Sequence, residues 1–244
     1  LAIPGIVVRT FMLEQSLSPV DWFAFSAAWE ICPDTLDELG KITGLSRQTA
    51  AVACRRLMAR GWCELRGKGK GMQPVPIIRH DCQNQMAHDL SAAYDVVANR
   101  GEFLMRTYLN LRICDDRYID HARPPFLTNP LTHEPLEYDR YYQVGIAFEF
   151  NGPQHYRETS RFADTDALRA TQARDLIKKG LSQDRRVDLV AVNGEQLRLD
   201  LLEALIPESL PRRPLDTLGP YYQRLASLCA EYALKAGDRT AGRR

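Results

Sequence analysis

The sequence predicts a mixed α+β chain in two parts: a helical amino-terminal half closed by a small basic hairpin, and an α/β carboxyl-terminal half. Three observations carry this. Helix-starting and helix-stopping residues recur at short intervals between Ser18 and Gly61. Charge separates along the chain: residues 18–40 hold five acids and no Lys or Arg, whereas residues 41–80 hold nine bases and one acid, Glu64. A period-two stretch then runs from Val144 to Asn151, followed by a polar helical pattern and a second strand-like run, R-V-D-L-V-A-V.

Residues 1–17 form an amino-terminal extension before the first capped element. Ser18-Pro19 opens an apolar stretch to Ile31, with Pro19 in the first turn of a helix. Cys32-Pro33 breaks it, and Thr35 and Glu38, at capping-box spacing, start a second helix that Gly44 ends. Ser46 caps a third, which Gly61 stops. Next comes W-C-E-L-R, a G-K-G-K-G loop, and M-Q-P-V-P-I-I: two strand-like pieces flanking basic glycines. Residues 18–80 thus resemble a winged helix-turn-helix domain. The resemblance implies that the third helix enters the major groove of double-stranded DNA. Arg47, Gln48 and Thr49, at its start, would face bases; Arg55, Arg56, Lys68 and Lys70 would contact phosphates. A local basic excess of this size suits a polyanion. The alternatives are a solvated basic face and a protein-binding module.

Residues 81–98 read as a linker helix, with Met86, Leu90, Ala93 and Val97 on one apolar stripe. A further helix over 99–113 has Glu102 in its first turn, where the helix dipole favours an acid. Asp115, Asp116, Asp120 and His121 cluster in what reads as a solvated polar loop running to about Pro135, with metal binding there as the alternative. In the strand that follows, Val144, Ile146, Phe148 and Phe150 share one face, and Gly145, Ala147, Glu149 and Asn151 the other. If L-E-Y-D-R-Y-Y pairs with it about Val144, Asp139 and Glu149 become cross-strand partners. Like charges in that position need a cation, a shared proton or a basic side chain between them. A different register would leave both acids solvated. Residues 165–180 read as a helix ending at Gly180, with Gln172, Asp175 and Lys179 on one face and Lys178 at its edge.

Asp139, then Glu149 within F-E-F-N-G-P-Q-H-Y, then Q-x-R-D-x-x-K at 172–178, with Glu102 before them, resemble the PD-(D/E)xK nuclease superfamily. The narrower likeness is to its small members related to the very-short-patch mismatch endonuclease and some homing endonucleases. The resemblance spans roughly 100 to 190. It implies that residues 99–210 form a restriction-endonuclease-like α/β core, a central mixed sheet flanked by helices, with 211–244 as a carboxyl-terminal helix and tail. It further implies a Mg2+- or Mn2+-dependent endonuclease in which Asp139, Glu149 and the Phe150 carbonyl hold the metal and Glu102 joins the shell. Gln154, His155, Gln172 and Asp175 would surround the reacting phosphate. Where the family has a lysine this chain has Asn151. Lys178 is the candidate replacement, with Lys179 and His155 as others; failing them, the domain binds DNA without cutting. The rival reading is a DNA-binding regulator with an inactive nuclease-like domain; a third, with the same chemistry, acts on branched or mismatched DNA. One active site per chain suggests a homodimer if both strands are cut.

Six scattered cysteines without a CxxC pair read as reduced, buried thiols of a cytoplasmic protein. No apolar run reaches the roughly 18–20 residues that span a bilayer. The start, L-A-I-P-G-I-V-V, lacks the basic region of a signal peptide. A helix is expected over 219–235, with Tyr221, Leu225, Leu228, Cys229 and Tyr232 as its apolar stripe, followed by a disordered A-G-D-R-T-A-G-R-R end.

Overall fold

The structure, a computed structural model, describes residues 3–152 and 165–241, with the side chains of 165–171 and 238–241 outside that description. It is a mixed α/β chain that divides into two units. Residues 1–96, 109–116 and 208–225 make the first; 97–108, 117–207 and 226–244 make the second.

In the first unit, α1 (Gly5–Met12) buries Val7 and Phe11 in the core, so the amino-terminal extension is part of the packing. The helix α2 (Pro19–Ile31) begins with a capping box in which Ser18 and Asp21 bond reciprocally. Cys32, in the left-handed region at φ 50°, ends it. For α3 (Leu36–Thr43), Thr35 accepts from the Glu38 N–H at 3.1 Å, but the Glu38 carboxylate takes the Asp34 N–H instead of closing the expected reciprocal box. Gly40 lets the next turn approach: a Cβ there would lie 2.8 Å from the Leu45 carbonyl oxygen. Ser46 caps α4 (Arg47–Ala59) through the Thr49 N–H.

After α4, β1 (Cys63–Arg66) and β2 (Gln73–Pro76) pair antiparallel, Cys63 opposite Pro76 and Arg66 opposite Gln73. Gly67 and Gly69, both at positive φ, turn the chain between them. A Cβ on Gly67 would meet the Gly71 carbonyl oxygen at 2.7 Å, so the tip of this loop accepts no larger residue there. The core below joins Phe25, Trp29, Leu39, Leu57 and Trp62. The expected linker helix is α5 (His80–Val96). Cys82, Met86, Leu90 and Tyr94 are its buried stripe, and Val97 falls beyond its end.

Two readings of this unit change. Cys32 and Cys114 form a disulfide, so reduced thiols describe only Cys54, Cys63, Cys82 and Cys229. The partners stand 82 residues apart, a pairing that spacing could not disclose, and the argument from thiols to the cytoplasm goes with it. The segment at 208–225, expected to fall partly in the nuclease-like core (to 210) and partly in the carboxyl-terminal helix and tail, groups with this unit. Its Arg213 is buried, stacks on Trp29 at 4.3 Å and donates to the carbonyls of Trp29, Asn110 and Leu111. Burial alone pulls this guanidinium down to about 10.

The second unit takes residues to Tyr108 of α6 (Arg100–Arg112). Its sheet has the order β3-β4-β5-β6, with β3 (Tyr118–Ala122), β4 (Tyr138–Tyr142) and β5 (Ile146–Asn151) antiparallel and β6 (Asp188–Asn193) parallel to β5. The strand β3 lies where a solvated loop was expected. Its polar residues hid it, but Asp120 is paired by the buried Arg140 at 2.7 Å, and Arg140 also stacks on Tyr118. The helix α7 (Thr165–Asp184) is the crossover from β5 to β6 and runs through Gly180 instead of stopping there. Its last turn is packed: Ser182 is buried, bonding to Tyr138 at 2.6 Å, so the helix gains by continuing.

After β6 come α8 (Leu199–Leu205) and α9 (Pro220–Ala241), in which Leu225, Leu228 and Cys229 are buried. The expected disordered end is helical to Ala241. Ala236 is buried, and a Cβ on Gly194 would stand 3.1 Å from its methyl. Among the described residues, no helix is long and apolar enough to cross a membrane.

Candidate active site

The second unit gathers four of the sequence-predicted residues. The β4–β5 ladder places Arg140 opposite Phe148 and Tyr142 opposite Ile146, a hairpin centred on Val144. It stops one pair short of Asp139 and Glu149. The Asp139 carboxylate instead accepts the Phe150 N–H at 2.6 Å. Thus the strand end is closed by a side chain, and it is the N–H of Phe150 that meets the acid.

Glu149 is held from α7. Lys178 Nζ lies 2.5 Å from Glu149 Oε1, with both side chains largely buried. The Ser182 hydroxyl donates to the Lys178 carbonyl and is itself bonded to Tyr138, which fixes this turn of α7 against β4. Glu102 enters from the first turn of α6. The helix comes close because residue 101 is glycine: a Cβ there would lie 2.2 Å from the Phe150 ring and 2.9 Å from the Tyr232 ring.

Electrostatics link the acids. Burial pushes Asp139 up to about 6; the Phe150 N–H opposes this and the Glu102 charge adds to it. Burial pushes Glu149 up to about 7, with Lys178 opposing and Asp139 and Asp175 adding. Desolvation therefore outweighs even a 2.5 Å ammonium partner. Among the described residues, neither Glu102 Oε1 nor Glu149 Oε2 accepts a hydrogen bond, although both atoms are buried. A buried carboxylate oxygen without a donor is costly.

An all-oxygen donor set of Glu102, Asp139 and Glu149, with two unsatisfied oxygens, fits a hard divalent cation. Among the described residues no three His, Cys, Asp or Glu side chains form a group that could hold a metal ion. Asp175 is half-buried and Gln172 and Lys179 are exposed on α7. Asn151 donates to Asn193 Oδ1 at 3.4 Å, across the β5–β6 pair. Gln154 and His155 lie outside the described residues.

Sequence reasoning set aside His121, which borders this cluster. Its Nε2 is 3.6 Å from Glu102 Oε1. Arg106, one turn after Glu102, stands 3.3 Å from the same oxygen. The i, i+4 spacing of Glu102 and Arg106 was the available signal; nothing in the spacing pointed to His121.

In the first unit all seven sequence-predicted DNA contacts are exposed. Three are engaged internally. Arg47 pairs with Asp37 at 3.2 Å and donates to the Gly69 carbonyl, tying α4 to α3 and to the β1–β2 loop. The Thr49 hydroxyl bonds to Ser46. Arg56 grips the fully buried Asp21 at 2.7 Å. Burial works to raise the Asp21 pKa, but Arg56 and Ser18 outweigh it and hold the carboxyl below its ordinary value.

No family model matches the chain, and no solved structure matches it. Over 73 residues the chain is 37% identical to the Uncharacterized protein 033L of Invertebrate iridescent virus 3. The match takes in 29% of this chain and 38% of that protein.

Proposed function

We propose that this protein is a metal-dependent DNA endonuclease, directed to duplex DNA by a winged helix. The observation that carries the reading is the cluster of Glu102, Asp139 and Glu149 with Lys178, in which two buried carboxylate oxygens lack donors. Its position supports the reading too: the acids stand on adjacent strands and a flanking helix, and the lysine on the β5–β6 crossover, the order expected of a restriction-endonuclease-like core. Glu102, Asp139 and Glu149 would hold Mg2+ or Mn2+, which when bound lowers the pKa of a water and stabilises charge on a phosphate. Lys178 is the ammonium that replaces the lysine absent at Asn151, and Ser182 and Tyr138 fix the turn that carries it. On DNA, the exposed Gln48 at the start of α4 reads bases, while Arg55, Lys68 and Lys70 take phosphates. Arg47, tied to the hairpin, sets the angle between helix and wing.

The second reading, a DNA-binding regulator with an inactive nuclease-like domain, draws on one observation. Lys178 is already spent on Glu149, and Asn151 offers no second ammonium. Incubation of supercoiled plasmid with the purified protein and Mg2+ or Mn2+ separates the two. The enzyme reading expects nicking by wild type and its loss, by about 100-fold or more, in Asp139→Ala and Glu149→Ala. A wild-type protein that cuts no DNA form with either metal sinks it.

A further inference from the structure

Beside the acids, β3 does something a strand does not ordinarily do. Its ladder with β4 records Asp120 opposite Arg140 and Ala122 opposite Tyr138, but skips the pair between them, His121 and Asp139. His121 takes φ 53°, the left-handed region that non-glycine residues rarely adopt. That twist places the imidazole between two charged partners. Nδ1 is 2.9 Å from Glu137 Oε1 and Nε2 is 2.7 Å from Arg106 Nη1. A carboxylate only accepts and a guanidinium only donates. The ring therefore donates Nδ1–H to Glu137 and accepts from Arg106 at Nε2. Glu137 is itself held by Arg123 at 2.7 Å. A chain of four side chains thus ends in the Arg106 guanidinium, poised 3.3 Å from the Glu102 oxygen that accepts no hydrogen bond.

The arrangement repeats the one on the other side of the cluster, where Lys178 covers Glu149. Each cation neutralises an acid; Glu149 keeps its other oxygen without a hydrogen bond, whereas on Glu102 the oxygen that accepts none is the one Arg106 faces. From this geometry, and resting on the nuclease reading above, we infer that Arg106 is a second phosphate-contacting residue of the site and that His121 is its positioning residue. The pair with Glu102 is the resting arrangement. Once Glu102 turns to a divalent cation, Arg106 loses its nearer anionic partner but keeps Asp120, 3.9 Å away, and the His121 tether. Its planar fork suits two oxygens of one phosphate, which a lysine at the same place would not match.

The test uses the whole 244-residue chain in four forms besides wild type: Arg106→Ala, Arg106→Lys, His121→Ala and His121→Gln. Two quantities are measured: Mn2+ binding by calorimetry without DNA, and the single-turnover nicking rate on duplex DNA. Arg106→Ala is expected to nick about 100-fold more slowly, the usual effect of losing one oxyanion donor. It should bind Mn2+ at least as tightly as wild type, because Glu102 no longer faces a competing cation. Arg106→Lys keeps charge and stem, guards against a folding defect, and should recover only part of the rate. His121→Gln retains an acceptor for Arg106 and should exceed His121→Ala in rate. If wild type binds Mn2+ and nicks while Arg106→Ala and Arg106→Lys nick at its rate, this inference falls and the nuclease reading stands. If wild type neither binds Mn2+ nor nicks, both fall.

Discussion

Asp139 is an acid placed where its charge is unwelcome. In an unfolded chain it ionises near 3.8; in the folded protein burial pushes it to about 6. Between those values the folded state holds a proton that the unfolded state has released. Stability therefore falls as pH rises through the window, and above it the loss is complete. Asp139→Asn keeps an oxygen for the Phe150 N–H and removes the charge. With EDTA present, the variant is expected to be more stable than wild type at pH 8 by about 1–3 kcal/mol. The gain should vanish below about pH 3, where wild type is protonated in both states. Urea unfolding midpoints across pH measure this. Equal stabilities at pH 8 would mean that the carboxylate is not strained by burial. Arg56 teaches the converse: a basic residue on a basic helix that reads as a phosphate contact is consumed by Asp21, an acid with no exposed surface.

At the scale of elements, the first turn of α6 decides whether Glu102 belongs to the site. Gly101 is what allows the approach, since a Cβ would meet Phe150 and Tyr232 well inside contact distance. Gly101→Ala gains helix propensity of about 1 kcal/mol, but overpacking costs about 1–3 kcal/mol, so a net loss is expected. The more telling effect is on function: α6 must shift, carrying Glu102 away, so Mn2+ binding should weaken alongside thermal stability. An alanine variant that binds Mn2+ like wild type would show that Glu102 is not a ligand. Elements of this kind were legible where local chemistry is decisive. Ser18, Thr35 and Ser46 start helices and Gly44 stops one, as their side chains and backbone freedom require. The misreadings share a cause. The strand β3 is polar because its partner is the buried Arg140, and α7 passes Gly180 because Ser182 has a buried partner in Tyr138. In each case a contact distant in sequence overrides the local signal.

For the whole molecule, the acids were readable because the turn centre at Val144 and the period-two pattern fix which residues face each other. The Cys32–Cys114 bridge and the Arg106–His121–Glu137 chain were not, since each joins residues that only the fold brings together. If the two units divide the labour as proposed, binding to DNA and binding of metal should be separable by mutation. Lys68 and Lys70 stand exposed on the β1–β2 loop, and no acid of this structure pairs with either among the described residues. Replacing both with alanine should weaken binding to any duplex sequence. It should also reduce the steepness of log K against log salt by about 2, roughly one released counterion for each lysine. The loss should be the same for every sequence, because phosphate contacts carry no sequence information. Mn2+ binding to the acids on β4, β5 and α6 should not change. Fluorescence anisotropy with labelled duplex at several salt concentrations, beside calorimetry with Mn2+, checks both halves. An unchanged salt slope removes the hairpin from the DNA interface, whereas a lost Mn2+ site would show that the two units do not act independently.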